Sequence, residues 1–117
     1  MDSTVAIGAL AALAQNTRLE TFRLLVSREP DGAPAGELAR MLAVPQNTMS
    51  AHLAVLARAG LVQNERRSRS IIYRADLERL RDVMLFLAKD CCGGRPELCG
   101  PLLADISSLS GEQEQSS

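Results

Sequence analysis

Residues 45–60 read Pro45-Gln46-Asn47-Thr48-Met49-Ser50-Ala51-His52-Leu53-Ala54-Val55-Leu56-Ala57-Arg58-Ala59-Gly60. Met49, Leu53 and Leu56 recur at three- and four-residue steps, which gives a helix one apolar stripe. At about 100° per residue, Gln46, Asn47, Ser50, Ala51, Ala54 and Arg58 fall together on the opposite side. That side is polar near its start, small in the middle and basic at its end. Gly60 closes the helix as a glycine just past the last turn does.

On the N-terminal side, Val5 to Ala14 is rich in Ala and Leu and reads as a first helix. Asn16 stands where an N-cap belongs, and its side-chain oxygen can accept from a free backbone N–H of a second helix. Leu19, Phe22, Leu25 and Val26 give that helix a buried stripe. Pro30-Asp31-Gly32-Ala33-Pro34 ends it, since proline lacks the helical N–H and glycine frees the chain to turn. Glu37 to Ala43 forms a short third helix with Leu38, Met41 and Leu42 inward. On the C-terminal side, Leu61-Val62-Gln63 and Ile71-Ile72-Tyr73 are β-type runs flanking Arg66-Arg67-Ser68-Arg69-Ser70, which predicts a hairpin with three arginines at its tip. Asp76 caps a final long helix whose seam is Leu77, Leu80, Val83, Met84 and Leu87. Cys91-Cys92-Gly93-Gly94-Arg95-Pro96-Glu97-Leu98-Cys99 is a loop broken by glycine and proline. Leu102 to Leu109 suits one more short helix, and Gly111 to Ser117 is a polar tail of disordered character. The expected organisation is a domain over 1–90, a cysteine-rich loop over 91–100 and a partly disordered tail over 101–117.

With 117 residues, one compact core is expected. Apolar residues make up 46 % of the chain but the only aromatics are Phe22, Phe86 and Tyr73, so the core is aliphatic and suits helices better than a β-sandwich. No apolar run approaches the roughly 20 residues of a membrane span. Met1 to Ala14 carries Asp2 and no basic start, unlike a secretory signal. Both points lead to the expectation of a cytoplasmic protein with no membrane partner. The net charge of −1 hides an asymmetry. Arg58, Arg66, Arg67, Arg69, Arg74, Arg79 and Arg81 cluster against only Glu65, Asp76 and Glu78, while Asp90, Glu97, Asp105, Glu112 and Glu114 lie towards the end. Phosphate binding follows the local field, not the total. A solvated arginine-rich surface is the alternative reading of that cluster.

The order helix, helix, short helix, polar-faced helix, arginine-tipped hairpin, long helix is that of a winged helix-turn-helix: a mainly α fold with a two-stranded β-hairpin wing. The residues also resemble the ArsR/SmtB family of metal-sensing repressors, particularly its arsenic-responsive members. The resemblance is carried by Leu13-Ala14-Gln15-Asn16-Thr17-Arg18-Leu19, Glu37-Leu38-Ala39, Thr48 to Leu56, Ala59-Gly60-Leu61-Val62 and Arg66 to Tyr73, in order across roughly residues 5 to 90. It implies a homodimer paired through the first and last helices, with Leu10, Leu13, Leu80, Met84 and Leu87 at the subunit contact. It further implies that the fourth helix enters a major groove of operator DNA and that the wing meets flanking DNA. The sequence departs from the family in two places. Pro34 and Gly36 stand where many members carry a cysteine pair before Glu37-Leu38, so the usual metalloid site of that subgroup is absent. Pro45 stands where many carry a capping Ser, leaving Asn47 or Thr48 to substitute.

Within that frame Gln46, Asn47, Thr48, Ser50, Ala51 and His52 are the candidate residues of the recognition helix. Gln and Asn can pair bidentately with adenine, each good pair being worth about 1–3 kcal/mol of discrimination. Ala51 and Ala54 are small enough to lie against the groove. His52 falls at the edge of the core stripe, where either a phosphate contact or a packed, hydrogen-bonded imidazole fits. Arg66, Arg67 and Arg69 suit phosphate or minor-groove contacts that position a protein without reading sequence. Plain solvation is the alternative for the helix start and for the hairpin tip.

The three cysteines all fall in one short loop, at Cys91, Cys92 and Cys99. Scattered cysteines would read as small buried hydrophobes. Here the glycines between them let three sulfurs converge, and thiolates select soft ions. Trivalent arsenic or antimony favours a pyramid of three sulfurs, so As(III) or Sb(III) is the expected inducer. Cadmium and lead come next. Zinc prefers four ligands and would need Asp90 or Glu97 as well. Rival readings are a thiol redox switch in the same fold, a metallochaperone, and a thiol-dependent arsenate reductase with Cys91 or Cys92 as nucleophile. The reductase is disfavoured because the only histidine lies on the recognition helix and no anion-cradling loop precedes a cysteine-led helix. No enzymatic activity and no catalytic cofactor are expected.

Overall fold

The computed structural model describes residues 1–89 together with 100, 101, 104 and 105. Five helices and three strands follow in the order α1 (Ser3–Leu13), α2 (Asn16–Ser27), β1 (Ala33–Pro34), α3 (Ala35–Leu42), α4 (Gln46–Arg58), β2 (Val62–Arg67), β3 (Ser70–Ala75) and α5 (Leu77–Lys89). The architecture is a winged helix-turn-helix. By its internal contacts the chain divides within α5, into Met1–Arg81 and a second unit that begins at Asp82. Gly100, Pro101, Ala104 and Asp105 are helical, and the remainder of the expected last helix lies outside the described residues.

The core of the first unit is aliphatic. Leu25, Leu38, Met49, Leu53, Leu56 and Leu61 are fully buried, so all three residues of the expected α4 stripe point inward. Thr21 is the one buried polar side chain among the described residues, and its hydroxyl donates to the Thr17 carbonyl at 2.7 Å. That bond removes the penalty of an unpaired buried hydroxyl. Three expectations of burial fail. Leu19 and Val26 of α2 and Met41 of α3 are exposed, whereas Thr21 and Ala39, which were not expected inward, are buried. Periodicity names the apolar residues of a helix, but α2 buries a narrower strip than its apolar content suggests.

Helix ends follow the free backbone groups. Asp2 caps α1 through the Thr4 N–H at 3.1 Å, two residues earlier than the composition suggests. Gln15, not Asn16, caps α2, its Oε1 accepting from the Arg18 N–H at 2.8 Å. Asn16 is the first helical residue instead. Asp76 caps α5 as expected, accepting from the Arg79 N–H at 2.9 Å, while its other carboxylate oxygen accepts from the Gln63 amide at 2.8 Å.

Two C-terminal caps set the helix-turn-helix and the entry to the wing. After α3, the Ala43 N–H donates to the Arg40 carbonyl and the Val44 N–H to the Ala39 carbonyl, with Ala43 in the left-handed region at φ 56°. After α4, the Gly60 N–H donates to Ala57 and the Leu61 N–H to Leu56, with Gly60 at φ 79°. Both are Schellman closures.

The hairpin exists and is longer than the two short β-type runs. β2 and β3 pair antiparallel from Val62↔Ala75 to Arg67↔Ser70, leaving Ser68 and Arg69 as a two-residue turn. Arg66 and Arg67 therefore sit on the strand and only Arg69 lies in the turn. β1 adds a third strand, pairing Ala33↔Tyr73 and Pro34↔Ile72, so the sheet order is β1-β3-β2.

α1 is apolar on both sides. Its small residues Ala6, Ala9 and Ala12 are buried, while the larger Val5, Ile7 and Leu10 are exposed. On α5, Val83 and Ala88 are buried, whereas Leu77, Met84 and Leu87 are exposed.

Candidate nucleic-acid interface

α4 begins after Pro45, which offers no side-chain cap but whose carbonyl accepts from the Met49 N–H at 3.0 Å. Neither Asn47 nor Thr48 replaces the cap: both lie inside α4, and the Asn47 Oδ1 accepts only from the adjacent Thr48 N–H, at 2.9 Å. The first turn of α4 thus presents N–H groups and a positive helix end to the exterior. Gln46, Asn47, Ser50, Ala51, Ala54 and Arg58 are all exposed, as the helical wheel requires. Thr48 and His52 are half-buried at the edge of that face.

The Gln46 side chain lies over Gly36, where a Cβ would come 3.5 Å from its Oε1. Gln46 and Ser50 share a groove of about 310 Å³ with Arg69, Ser70, Ile71 and Tyr73 of the wing. The structure therefore brings the start of α4 and the tip of the wing to one concavity. Tyr73 and Ser70 were not singled out in the sequence. Their place became visible only with the register of β3, and the two-residue β1 that borders the groove left no periodic signal.

The arginine cluster separates into two kinds. Arg67 is ion-paired to Glu65 along its own strand. Arg74 is held by Glu29, with Nη2 2.7 Å from Oε2 and Nε 3.4 Å from Oε1. Its pKa is raised by that hydrogen bond and by the charge of Glu29, against a smaller opposing effect of burial. The Arg79 guanidinium packs over Gly60, where a Cβ would meet its Nε at 2.7 Å. Among the described residues, Arg58, Arg66, Arg69, Arg79 and Arg81 have no ion-pair partner. A guanidinium already paired has less to offer a phosphate, so Arg66 and Arg69 are the wing cations best placed for DNA.

Of the five residues that the family resemblance assigns to subunit pairing, Leu10, Met84 and Leu87 are exposed and Leu13 and Leu80 are half-buried. Cys91, Cys92 and Cys99 lie outside the described residues. Among the described residues, no three His, Cys, Asp or Glu side chains gather as a metal site, and no helix is long and apolar enough to cross a membrane.

The family described as a helix-turn-helix domain matches residues 13–63, which run from the end of α1 into β2. An ArsR-like transcriptional regulator from Rhodococcus sp. RHA1 superposes with a TM-score of 0.69 at 27% identity, over 91% of this chain and 92% of that one. In sequence and fold the chain is thus similar to an ArsR-like regulator. The chain is also 29% identical over 91 residues to the transcriptional activator HlyU of Vibrio cholerae, covering 78% of this chain and 82% of that protein. A third likeness is to Mb0332 from Mycobacterium bovis, whose solved fragment is described as a homodimeric winged helix-turn-helix DNA-binding domain. There the TM-score is 0.61 at 25% identity, over 70% of this chain and 74% of that one. These relatives are transcriptional regulators. In this chain the segment matched by the helix-turn-helix family contains α4 in full and stops before the wing turn, so the wing arginines lie outside it.

Proposed function

We propose that the chain is a homodimeric, operator-binding repressor that releases DNA when As(III) or Sb(III) binds Cys91, Cys92 and Cys99. The observation that carries DNA binding is the shared groove, which faces Gln46 and Ser50 of α4 and the unpaired Arg69 of the wing towards one partner. A major groove admits a helix, and base edges are read by short polar side chains of this kind. Arg66 and Arg69 hold phosphates. Pairing of subunits is supported by α1, which leaves its bulkiest side chains on the outside, and by the uncovered Met84 and Leu87 of α5. Exposed apolar surface of this kind marks a protein contact, and the Mycobacterium bovis relative is described as a homodimer.

The sensing half rests on chemistry: three thiolates within nine positions, directly after the helix that bears Met84 and Leu87. Binding a soft ion releases thiol protons and ties the segment together. That closure shifts the α5 seam and alters the spacing of the two α4 helices, which must match half-sites about one helical turn apart. A coupling of about 1–3 kcal/mol lowers operator affinity roughly 5- to 150-fold. The test is a fluorescence-anisotropy titration of reduced, oxygen-free protein on its own upstream DNA, with arsenite, antimonite, cadmium and zinc added in turn. Arsenite and antimonite are expected to release DNA at the lowest concentrations, with sulfur–ligand absorbance appearing in step. A triple Cys→Ser variant is expected to bind DNA normally and ignore arsenite. Release from that variant would show that these thiols are not the sensor.

A further inference from the structure

The wing is a hairpin whose outer strand, β2, is hydrogen-bonded to β3 alone, so its placement depends on what holds β3. Three features do so, and all come from the short connection between α2 and α3. β1 pairs with Tyr73 and Ile72. Gly32, at φ 72°, brings its backbone flush with β3: a Cβ there would sit against the Tyr73 carbonyl, 2.7 Å from Arg74 Cγ and 2.9 Å from Ile72 Cγ2. Glu29 grips the Arg74 guanidinium at two points. The same connection runs directly into α3 and so into the helix-turn-helix. It ties the wing and the reading helix into one body.

Arg74 itself is poorly suited to a phosphate. Its charge is answered by Glu29, and Asp31 and Glu65 add further negative field around it. We propose that Glu29 and Arg74 form a clasp that positions the wing against DNA, so that an acidic side chain, Glu29, is required for full affinity towards a polyanion. The proposal rests on the DNA-binding reading above and assigns both residues a positioning role.

The two possible roles of Arg74 predict opposite signs. Were Arg74 a phosphate ligand restrained by Glu29, Glu29→Gln would free it and tighten binding. With the clasp, Glu29→Gln weakens binding by about three- to tenfold, as expected for a partly exposed, charge-assisted pair. The salt slope also shallows as Arg66 and Arg69 lose their phosphates, each worth about 0.9 in log–log units. The probe is a duplex selected on the wild-type protein from a random-sequence DNA library. Failure of the wild type to enrich any duplex would fell the DNA-binding reading, and the clasp with it. Given an enriched duplex, the charge-swapped Glu29→Arg/Arg74→Glu protein is expected to regain most of the lost affinity. In a wing already carrying Arg66→Ala and Arg69→Ala, Glu29→Gln is expected to cost nothing more. Tighter binding by Glu29→Gln, no recovery in the swap, or an equal loss in the arginine-free wing would each overturn the clasp. Should Glu29→Gln melt below the assay temperature, Arg74→Lys serves in its place: it keeps the charge but cannot make two contacts, and wild-type affinity from it would equally refute the proposal.

Discussion

Replacing Gly32 by alanine tests whether the α2–α3 connection is built around a missing side chain. At φ 72° an L-residue meets the left-handed penalty, about 1–2 kcal/mol. The new methyl also has nowhere to go. Its closest neighbour is the Tyr73 carbonyl oxygen, which belongs to the strand that pairs with β1, and the side chains of Arg74 and Ile72 lie at 2.7 and 2.9 Å. A flexible side-chain end can move aside, whereas a paired backbone carbonyl moves only by opening β1 from β3. Each backbone hydrogen bond given up there costs about 1 kcal/mol net. Gly32→Ala is therefore expected to lower unfolding free energy by about 3 kcal/mol, a large part of the roughly 5–15 kcal/mol typical of a domain. Urea denaturation followed by far-UV circular dichroism, at one fixed protein concentration, measures it. The midpoint should fall while the slope stays constant. A loss below about 1 kcal/mol would mean that the connection relaxes freely and that the close approach of Gly32 to β3 is not a constraint.

Ala43→Gly is expected to raise stability by about 1 kcal/mol, since it relieves the left-handed strain of the α3 cap without losing a buried contact; the same urea assay reads it. Arg69→Ala is expected to weaken binding about equally for all DNA sequences and to reduce the salt slope by about 0.9 per phosphate lost. A sequence-dependent loss would instead make Arg69 a base reader. Ile7→Glu places a charge on the most exposed large apolar residue of α1. Analytical ultracentrifugation should show a shift from dimer towards monomer, with secondary structure retained at high concentration.

The recognition helix was the most legible element because both of its faces carry information. Met49, Leu53 and Leu56 must be buried together, which fixes the opposite side as Gln46, Asn47, Ser50 and Ala51. The ends of helices were less legible. Gln15 and Asn16 both carry an amide oxygen, and only the backbone path decides which of them reaches the Arg18 N–H. Burial on α2 was overestimated because Leu19 and Val26 look no different from Leu25 in a list of apolar residues. β1 escaped notice because two residues, one of them Pro34, have no period. The arginine cluster showed where positive charge gathers. It could not show that Glu29, forty-five positions from Arg74, neutralises one of its members.

α1 has a last consequence. A helix that turns alanines inward and leaves Val5, Ile7 and Leu10 outside keeps its bulkiest apolar side chains for the proposed subunit contact. If the chain pairs as proposed, its stability depends on abundance, because association favours the folded form by mass action. Dilution alone should lower its melting temperature, and a cell holding few copies would hold them nearer to unfolding than a cell holding many.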